Sequence, residues 1–186
     1  MRTAVLIIAA ASAAACVRYA GSARNASPQT VSGPGWLKIT DVPLVMQQEE
    51  ADCGAAAIAM VVSYWTGAEP GAIVSAVGPV PERGLKAGRL RDFARRRGLE
   101  AFLFKGEVSD LEHEIRNGRP VLVGLAKPTN RKRIVLTHYE VVVAYHPAKR
   151  VVVTLDPAEG WRQNSLSGFL EEWRPTGRLS LVVSGR

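Results

Sequence analysis

The sequence contains few cysteines and few aromatic residues. Its 186 residues include two cysteines, Cys16 and Cys53, and aromatic residues make up 6% of the chain. Two thiols can form one disulfide in an exported protein, but the segment around Cys16 indicates a different fate for that residue. The three histidines show no paired ligand spacing, so the sequence predicts no metal site and no cofactor.

Acidic residues are outnumbered, since 17 Asp and Glu stand against 24 Lys and Arg and give a formal net charge of +7. No aromatic residues interleave with the basic ones, and neither zinc-finger spacing nor a Gly-rich phosphate loop is present. We therefore expect solvated basic faces and no nucleic-acid partner. The basic residues concentrate in two clusters, which are Arg83, Lys86, Arg89, Arg91, Arg95, Arg96 and Arg97, then Arg131, Lys132 and Arg133.

The apolar run near the N-terminus is too short to span a membrane. Residues 4–15 are Ala, Val, Leu and Ile with a single serine. As a helix this run would rise about 18 Å, whereas a bilayer core is about 30 Å thick. A basic residue precedes the run and small residues end it, so we predict a secretory signal peptide over residues 1–15.

Cys16 directly follows three alanines. The segment resembles a bacterial lipoprotein signal, in which this cysteine is lipidated, although Ala13 stands where leucine is usual. Ordinary cleavage after Ala15 is the alternative. We favour lipidation of Cys16, which would anchor an exported protein to the membrane at the periplasmic or cell-surface side. Residues 16–35 would then be a flexible Gly-, Ser- and Pro-containing tether, followed by a folded domain over residues 36–186.

Hydrophobic periodicity in the folded part predicts helices first and antiparallel strands afterwards, which is typical of an α+β domain of two lobes. Asp52 is placed to cap the first helix, and Ser109 with Glu112 forms a capping box for the third. Helices are predicted at 53–65, 85–97, from 109 onward and 167–173, and strands or extended segments at 36–45, 121–125, 134–145, 151–155 and 179–183.

Cys53 begins the first predicted helix and is followed by Gly54. The first turn of a helix carries unpaired N–H groups and the positive end of the macrodipole, so it favours an anion. The thiolate is the nucleophilic form of cysteine, and Gly54 would leave the sulfur accessible. We predict Cys53 as a catalytic nucleophile, with an inert buried cysteine as the alternative.

A cysteine nucleophile needs a base, and the chain offers three histidines. His113 lies on a short polar helix and His146 in a turn, whereas His138 begins an apolar strand and can project toward the helix. We predict His138 as the general base. Asp156 ends the next strand, and a hairpin turned at 146–149 would bring it beside His138 to hold the imidazole in one tautomer. A simple strand-ending turn is the alternative for Asp156.

An amide side chain near Cys53 would complete the site as an oxyanion donor. Gln47 and Gln48 both precede the cysteine, and the residues by themselves leave the choice between them open.

The stretch 42–65 (VPLVMQQEEADCGAAAIAMVVSYW) resembles the double-glycine-leader peptidases, which are papain-like domains usually found in bacteriocin-exporting ABC transporters. The resemblance covers residues 42–183 and implies a papain-like fold with Cys53, His138 and Asp156 in the roles above. It selects Gln47, because the family places its glutamine six residues before the cysteine. It also rests on these segments: Gly98-Leu99, Asn117-Gly118-Arg119-Pro120-Val121, His138-Tyr139-Glu140-Val141-Val142, Asp156-Pro157, Gly160, Phe169 and Trp173.

The sequence departs from that family in two respects. It has neither a transmembrane bundle nor a GxxxxGK[ST] loop, so we do not expect an ATP-driven exporter. It also carries a predicted export signal, whereas the leader peptidases work on the cytoplasmic side. We therefore expect a cysteine endopeptidase that cleaves an exported polypeptide, in association with an export system. A papain-fold amidase or acyl-transfer enzyme and a non-catalytic peptide-binding module are the alternatives.

Overall fold

The structure is a computed structural model that describes Tyr19, residues 21–129 and residues 135–185. The predicted signal peptide, Cys16 and the basic residues 131–133 lie outside the described residues. Within the described ranges, none of the helices combines the length and the apolar character needed to cross a membrane.

Five α-helices lie in the described part of the chain. The longest, α1, is almost entirely buried over its first eleven residues and ends at Gly67, which adopts φ 68° in the left-handed region that favours glycine. The helix bounds are α1 Cys53–Thr66, α2 Pro70–Val77, α3 Ala87–Arg96, α4 Val108–Arg116 and α5 Leu166–Trp173. Helices α1, α3, α4 and α5 correspond to the predicted helices.

Helix α2 is not among the predicted helices. Pro70 occupies its first turn, and the Glu69 side chain accepts a hydrogen bond from the backbone N–H of Ala72 at 2.9 Å. The helix spans eight residues and buries only Ile73 and Val77, so it has too short an apolar stripe to reveal a helical period.

The predicted capping box of α4 is wrong in position. The box is formed by Glu107 and Asp110, and the N–H of Glu107 donates to Asp110 Oδ2 at 2.7 Å. The helix therefore begins at Val108, ahead of Ser109, because the acidic pair satisfies the same orphan N–H groups that a serine would.

All the strands pair antiparallel in one sheet of order β1-β7-β6-β5-β4-β8-β3, with β2 paired to β5. Three of them, β1, β3 and β7, were not predicted. Strand β7 buries Arg162 and Asn164, so no apolar alternation marks it. The strand bounds are β1 Arg24–Asn25, β2 Leu37–Lys38, β3 Glu100–Lys105, β4 Val121–Pro128, β5 Val135–His146, β6 Val151–Asp156, β7 Gly160–Ser165 and β8 Leu179–Ser184.

Parts of the segment 21–35 pack against the domain, which differs from the prediction of an unpacked tether. Strand β1 pairs with β7, and the guanidinium of Arg162 donates to the carbonyl of Ala23 at 2.6 Å. Val31 is 3% exposed and belongs to the core. Gly, Ser and Pro residues did not prevent this packing, because strand pairing uses backbone groups that every non-proline residue carries.

The register of the sheet decides where the site residues meet. Val141 of β5 lies opposite Leu155 of β6. The last residue of β6, Asp156, therefore falls opposite Glu140, which is two residues from His138. The His138 side chain thus emerges beyond the end of β6, beside Asp156. Helix α1 packs against β5, which brings its N-terminus to the same place.

Candidate active site

Cys53 is the first residue of α1 and is 6% exposed. A 3-10 turn over Glu50–Asp52 leads directly into the helix. Asp52 does not cap α1 with its side chain, so that prediction is wrong. Its carboxylate accepts instead from the N–H of Glu49 at 3.2 Å. Asp52 is itself helical, with φ −83° and ψ −1°, whereas a capping residue is normally extended.

The His138 ring lies between Asp156 and Cys53. Its Nε2 is 2.7 Å from Asp156 Oδ1, and the ring lies beside the Cys53 side chain, which acts on the pKa of His138 as a hydrogen-bond partner. Since Nε2 serves the carboxylate, Nδ1 is the nitrogen left for the sulfur. The N–H of Ala158 donates to Asp156 Oδ1 at 2.8 Å, which fixes the carboxylate in the turn after β6.

The electrostatics of this group favour a charged imidazole. Burial works to lower the pKa of His138, but the hydrogen bonds to Asp156 and Cys53 act in the opposite direction. With the negative charges nearby, the net effect raises the pKa from 6.5 to about 10. For Asp156, burial works to raise the pKa, yet the hydrogen bond and charge of His138 prevail and hold that pKa well below its ordinary 3.8.

Gln47 lies between the turn that follows Asp156 and the turn that precedes α1. Its backbone N–H donates to the carbonyl of Pro157 at 2.8 Å, which attaches it to the turn that follows Asp156. Its side-chain Nε2 donates to the carbonyls of Glu49 at 3.0 Å and Glu50 at 3.4 Å. Its buried Oε1 has no hydrogen-bond partner among the described residues. Gln48, in contrast, is exposed.

The other two histidines lie away from this group. His113 is exposed on α4, and its ring contacts Asn117. His146 is 5% exposed at the far end of β5, where its ring meets Trp36 edge-on at 5.1 Å. Its Nδ1 accepts from the N–H of Lys149 at 3.2 Å. Of the three histidines, only His138 contacts the cysteine.

Gly54 allows α1 to approach β5 closely. A Cβ atom at this position would lie 3.3 Å from both Leu85 Cβ and Tyr139 Cδ2. Gly54 is buried, so it does not open a path to the sulfur as the sequence suggested. Burial, followed by the negative charge of Cys53, raises the pKa of Tyr139 to about 12, so Tyr139 stays a neutral phenol beside Cys53.

A buried ionic cluster that was not predicted from the sequence lies behind the site. Lys127 forms ion pairs with Glu140 and with Glu172, the latter at 3.1 Å. Thr154 donates to Glu140 Oε2 at 2.6 Å. A glutamate inside the apolar run HYEVVV is a charge where a core strand ordinarily has none, and that pattern is the signal that would have revealed it.

His138, Glu140 and Asp156 each offer one ligand atom, and these atoms lie within 4.8 Å of one another. Such a set can in principle hold a divalent metal. However, His138 and Asp156 already bind each other, and the ammonium of Lys127 lies on Glu140 and would repel a cation. The arrangement therefore fits a hydrogen-bonded ionic network better than a metal centre.

The chemistry available here is nucleophilic catalysis. A thiol beside an imidazole, which a carboxylate holds in turn, can exist as a thiolate and imidazolium pair. The thiolate can attack an acyl carbon, and the imidazolium can protonate a leaving group.

The family model described as "Peptidase C39 family" matches residues 41–183. A search of curated proteins found no match to the chain. Among solved structures, a double glycine motif protease from an AMS/PCAT transporter, solved in complex with the leader peptide, is 24% identical with a TM-score of 0.62. The match covers 80% of this chain and 98% of that one.

Two further structures show the same fold. The peptidase domain of Streptococcus ComA, a bi-functional ABC transporter involved in a quorum sensing pathway, is 23% identical with a TM-score of 0.61, covering 78% of this chain and 100% of that one. A C39-like peptidase from Bacillus anthracis is 15% identical with a TM-score of 0.63, covering 81% and 98%. These likenesses confirm the predicted α+β, papain-like fold.

Proposed function

The chain belongs to the Peptidase C39 family and is a cysteine peptidase, and from that premise we propose that Cys53, His138 and Asp156 are its catalytic residues. The observation that carries this proposal is the position of the His138 ring, whose Nε2 is 2.7 Å from Asp156 Oδ1 and which lies beside the Cys53 side chain at the start of α1. Among the residues that the structure describes, Cys53 is the only cysteine, so no other thiol competes for the role.

The proposed reaction proceeds in two halves. The Cys53 thiolate attacks the scissile carbonyl carbon and forms a tetrahedral oxyanion. The imidazolium of His138 then gives its proton to the leaving amine, and the C–N bond breaks to leave a thioester on Cys53. In the second half His138 takes a proton from water, the hydroxide displaces the thiolate, and the acid product leaves. Asp156 keeps the ring in orientation throughout and stabilises its charged form.

Gln47 supplies one donor to the oxyanion in this proposal, together with the backbone N–H of Cys53. Its Nε2 carries two hydrogens, and its contact with the Glu50 carbonyl is long at 3.4 Å. A developing oxyanion would replace that weak contact, because a charged acceptor binds an N–H more strongly than a neutral carbonyl does. Gln48 is exposed and fits this role less well.

For substrate and location we propose an exported polypeptide and a site outside the cytoplasm. One similar structure binds a leader peptide and another is part of an ABC transporter, which supports a polypeptide substrate and association with an export system. The apolar run over residues 4–15 followed by Cys16 supports export and a lipid anchor.

Alkylation of Cys53 by iodoacetamide tests the catalytic pair without a known substrate. We would measure the rate against pH in the full chain carrying Cys16→Ser, which leaves Cys53 as the single thiol. We expect fast alkylation well below the reference thiol pKa of about 8.5. His138→Ala should lose this acidic reactivity, because the thiolate loses its counter-charge.

His113→Ala is the matched control, since His113 is exposed and does not contact Cys53. Its profile should equal that of the parent chain. If the parent and His138→Ala chains titrate alike, the pair does not form and the proposed mechanism is wrong.

A further inference from the structure

Glu140 is a buried carboxylate beside the proposed catalytic histidine. It follows His138 by two positions on β5 and is 2% exposed. Alternate residues of a strand point to the same face, so both side chains lie on one side of the sheet. The charge of Glu140 acts on His138 in the same direction as that of Asp156.

Both oxygens of Glu140 have partners that do not belong to the catalytic group. Oε1 pairs with the ammonium of Lys127 from β4, and Oε2 accepts from the Thr154 hydroxyl of β6 at 2.6 Å. The carboxylate is thereby held where it acts on His138 through its charge, while Asp156 keeps the hydrogen bond to the ring.

Lys127 is needed because several carboxylates meet in this part of the core. Burial raises the pKa of Glu140, and Lys127 opposes that effect. For Lys127 itself burial works to lower the pKa, but Glu140 and Glu172 outweigh it and raise the pKa above its ordinary value. The ammonium of Lys127 on Oε1 favours the anionic form of Glu140, against the burial that favours the neutral form.

The groups that face His138 come from three elements. They are Cys53 from α1, Glu140 from β5 itself and Asp156 from β6. The groups that face the Lys127 ammonium are Glu140, Glu172 from α5, and Tyr19, whose ring centroid lies 4.1 Å from Nζ. Among the described residues, Glu172 therefore forms an ion pair with Lys127 and does not contact His138.

We propose that Glu140 is a positioning residue of this peptidase, which stabilises the imidazolium of His138 through its charge while Lys127 and Thr154 prevent it from replacing Asp156 on the ring. This inference rests on the proposed function, because it assigns a partner to His138 as a catalytic base. Glu140 itself touches neither the sulfur nor the acyl group.

The test compares Glu140→Gln with Glu172→Gln in the Cys16→Ser chain. Both variants remove one buried carboxylate that pairs with Lys127, but only Glu140 acts on His138. The readout is the upper pH at which His138 loses its proton, seen as the alkaline step in the iodoacetamide rate of Cys53 and as the titration of the His138 ring nitrogens by NMR. A neighbouring opposite charge shifts such a midpoint by about 1–3 units.

We expect Glu140→Gln to move the alkaline step downward by about 1 pH unit or more, and Glu172→Gln to leave it in place. The inference is overturned if the Glu140→Gln step coincides with that of the parent, or if both variants shift equally. If the parent chain itself shows no His138-dependent step, the proposed function fails instead.

Glu140→Gln leaves Lys127 with a single carboxylate and can impair folding. The double variant Lys127→Met/Glu140→Gln removes Glu140 together with its counter-charge, while Glu172 keeps its hydrogen bonds from Tyr19 and Asn164. It should show the same downward shift, because the shift comes from the lost charge of Glu140. The inference would also be overturned if the alkaline step of the double variant lay at the same pH as that of the parent chain.

Discussion

Two neighbouring amides, Gln47 and Gln48, differ sharply in their surroundings. The backbone N–H of Gln47 hydrogen bonds to Pro157, and its side chain hydrogen bonds to the carbonyl of Glu49 just before α1. Gln48 is exposed. This difference makes them a matched pair for testing the oxyanion donor.

We predict that Gln47→Ala slows peptide hydrolysis by about 10²–10³-fold in kcat, whereas Gln48→Ala has little effect. The measurement is turnover of a fluorogenic peptide that the parent chain cleaves. Alkylation of Cys53 by iodoacetamide should not change in either variant, because that reaction forms no oxyanion. Equal losses of turnover in the two variants would contradict the assignment of Gln47.

At the scale of elements, Tyr19 and the described segment from residue 21 to β2 are attached to the domain. Strand β1 extends the sheet on β7, Val31 is buried, and the Tyr19 hydroxyl binds Glu172 of the ionic cluster. Polar contacts reinforce this attachment, since the Ser22 hydroxyl donates to Asn164 at 2.7 Å.

A chain that begins at residue 36 should therefore be less stable than one that begins at residue 19. Exposure of the Val31 site and loss of β1 should lower the free energy of unfolding by roughly 2 kcal/mol or more, since burial of one valine side chain contributes about 1.5–3 kcal/mol. Urea denaturation of the two chains measures the difference. Equal midpoints would show that the segment contributes nothing to the fold.

At the scale of the whole molecule, the coupled pair His138 and Asp156 makes stability depend on pH. The pKa of His138 is raised from 6.5 to about 10, so its contribution is complete below pH 6.5 and is lost as the pH rises through about 10. The pKa of Asp156 is lowered from 3.8, so its contribution is complete above pH 3.8 and is lost as the pH falls toward its folded-state pKa.

The two contributions overlap, and we predict that Asp156→Asn lowers Tm most between pH 3.8 and 6.5. The difference from the parent should shrink toward pH 10 and below pH 3.8. Thermal unfolding across this range measures it, with His113→Ala as a variant whose difference from the parent should show no such peak. A difference that is constant with pH would mean that the two groups are not coupled.

Much of this architecture was visible in local patterns. The alanine-rich run after Cys53 predicted α1, and the β-branched runs predicted β4, β5, β6 and β8, because burial on one face imposes a period on the sequence. Strand β3 was not predicted because it lies at the edge of the sheet and exposes Phe102. Strand β7 was not predicted because its inward-facing residues are polar. Neither strand carries the apolar alternation on which such a prediction depends.

The sequence by itself determined the class of chemistry, since a cysteine at a helix start, a histidine opening a strand and an aspartate ending the next are local features. The tertiary structure alone decided the register that places Asp156 Oδ1 2.7 Å from the His138 ring, and the burial of Glu140 against Lys127. Registers and buried charge pairs depend on contacts between residues distant in the chain. Their energies arise only after the intervening segments have folded, so a local pattern can mark Glu140 as unusual without identifying the partner that it meets.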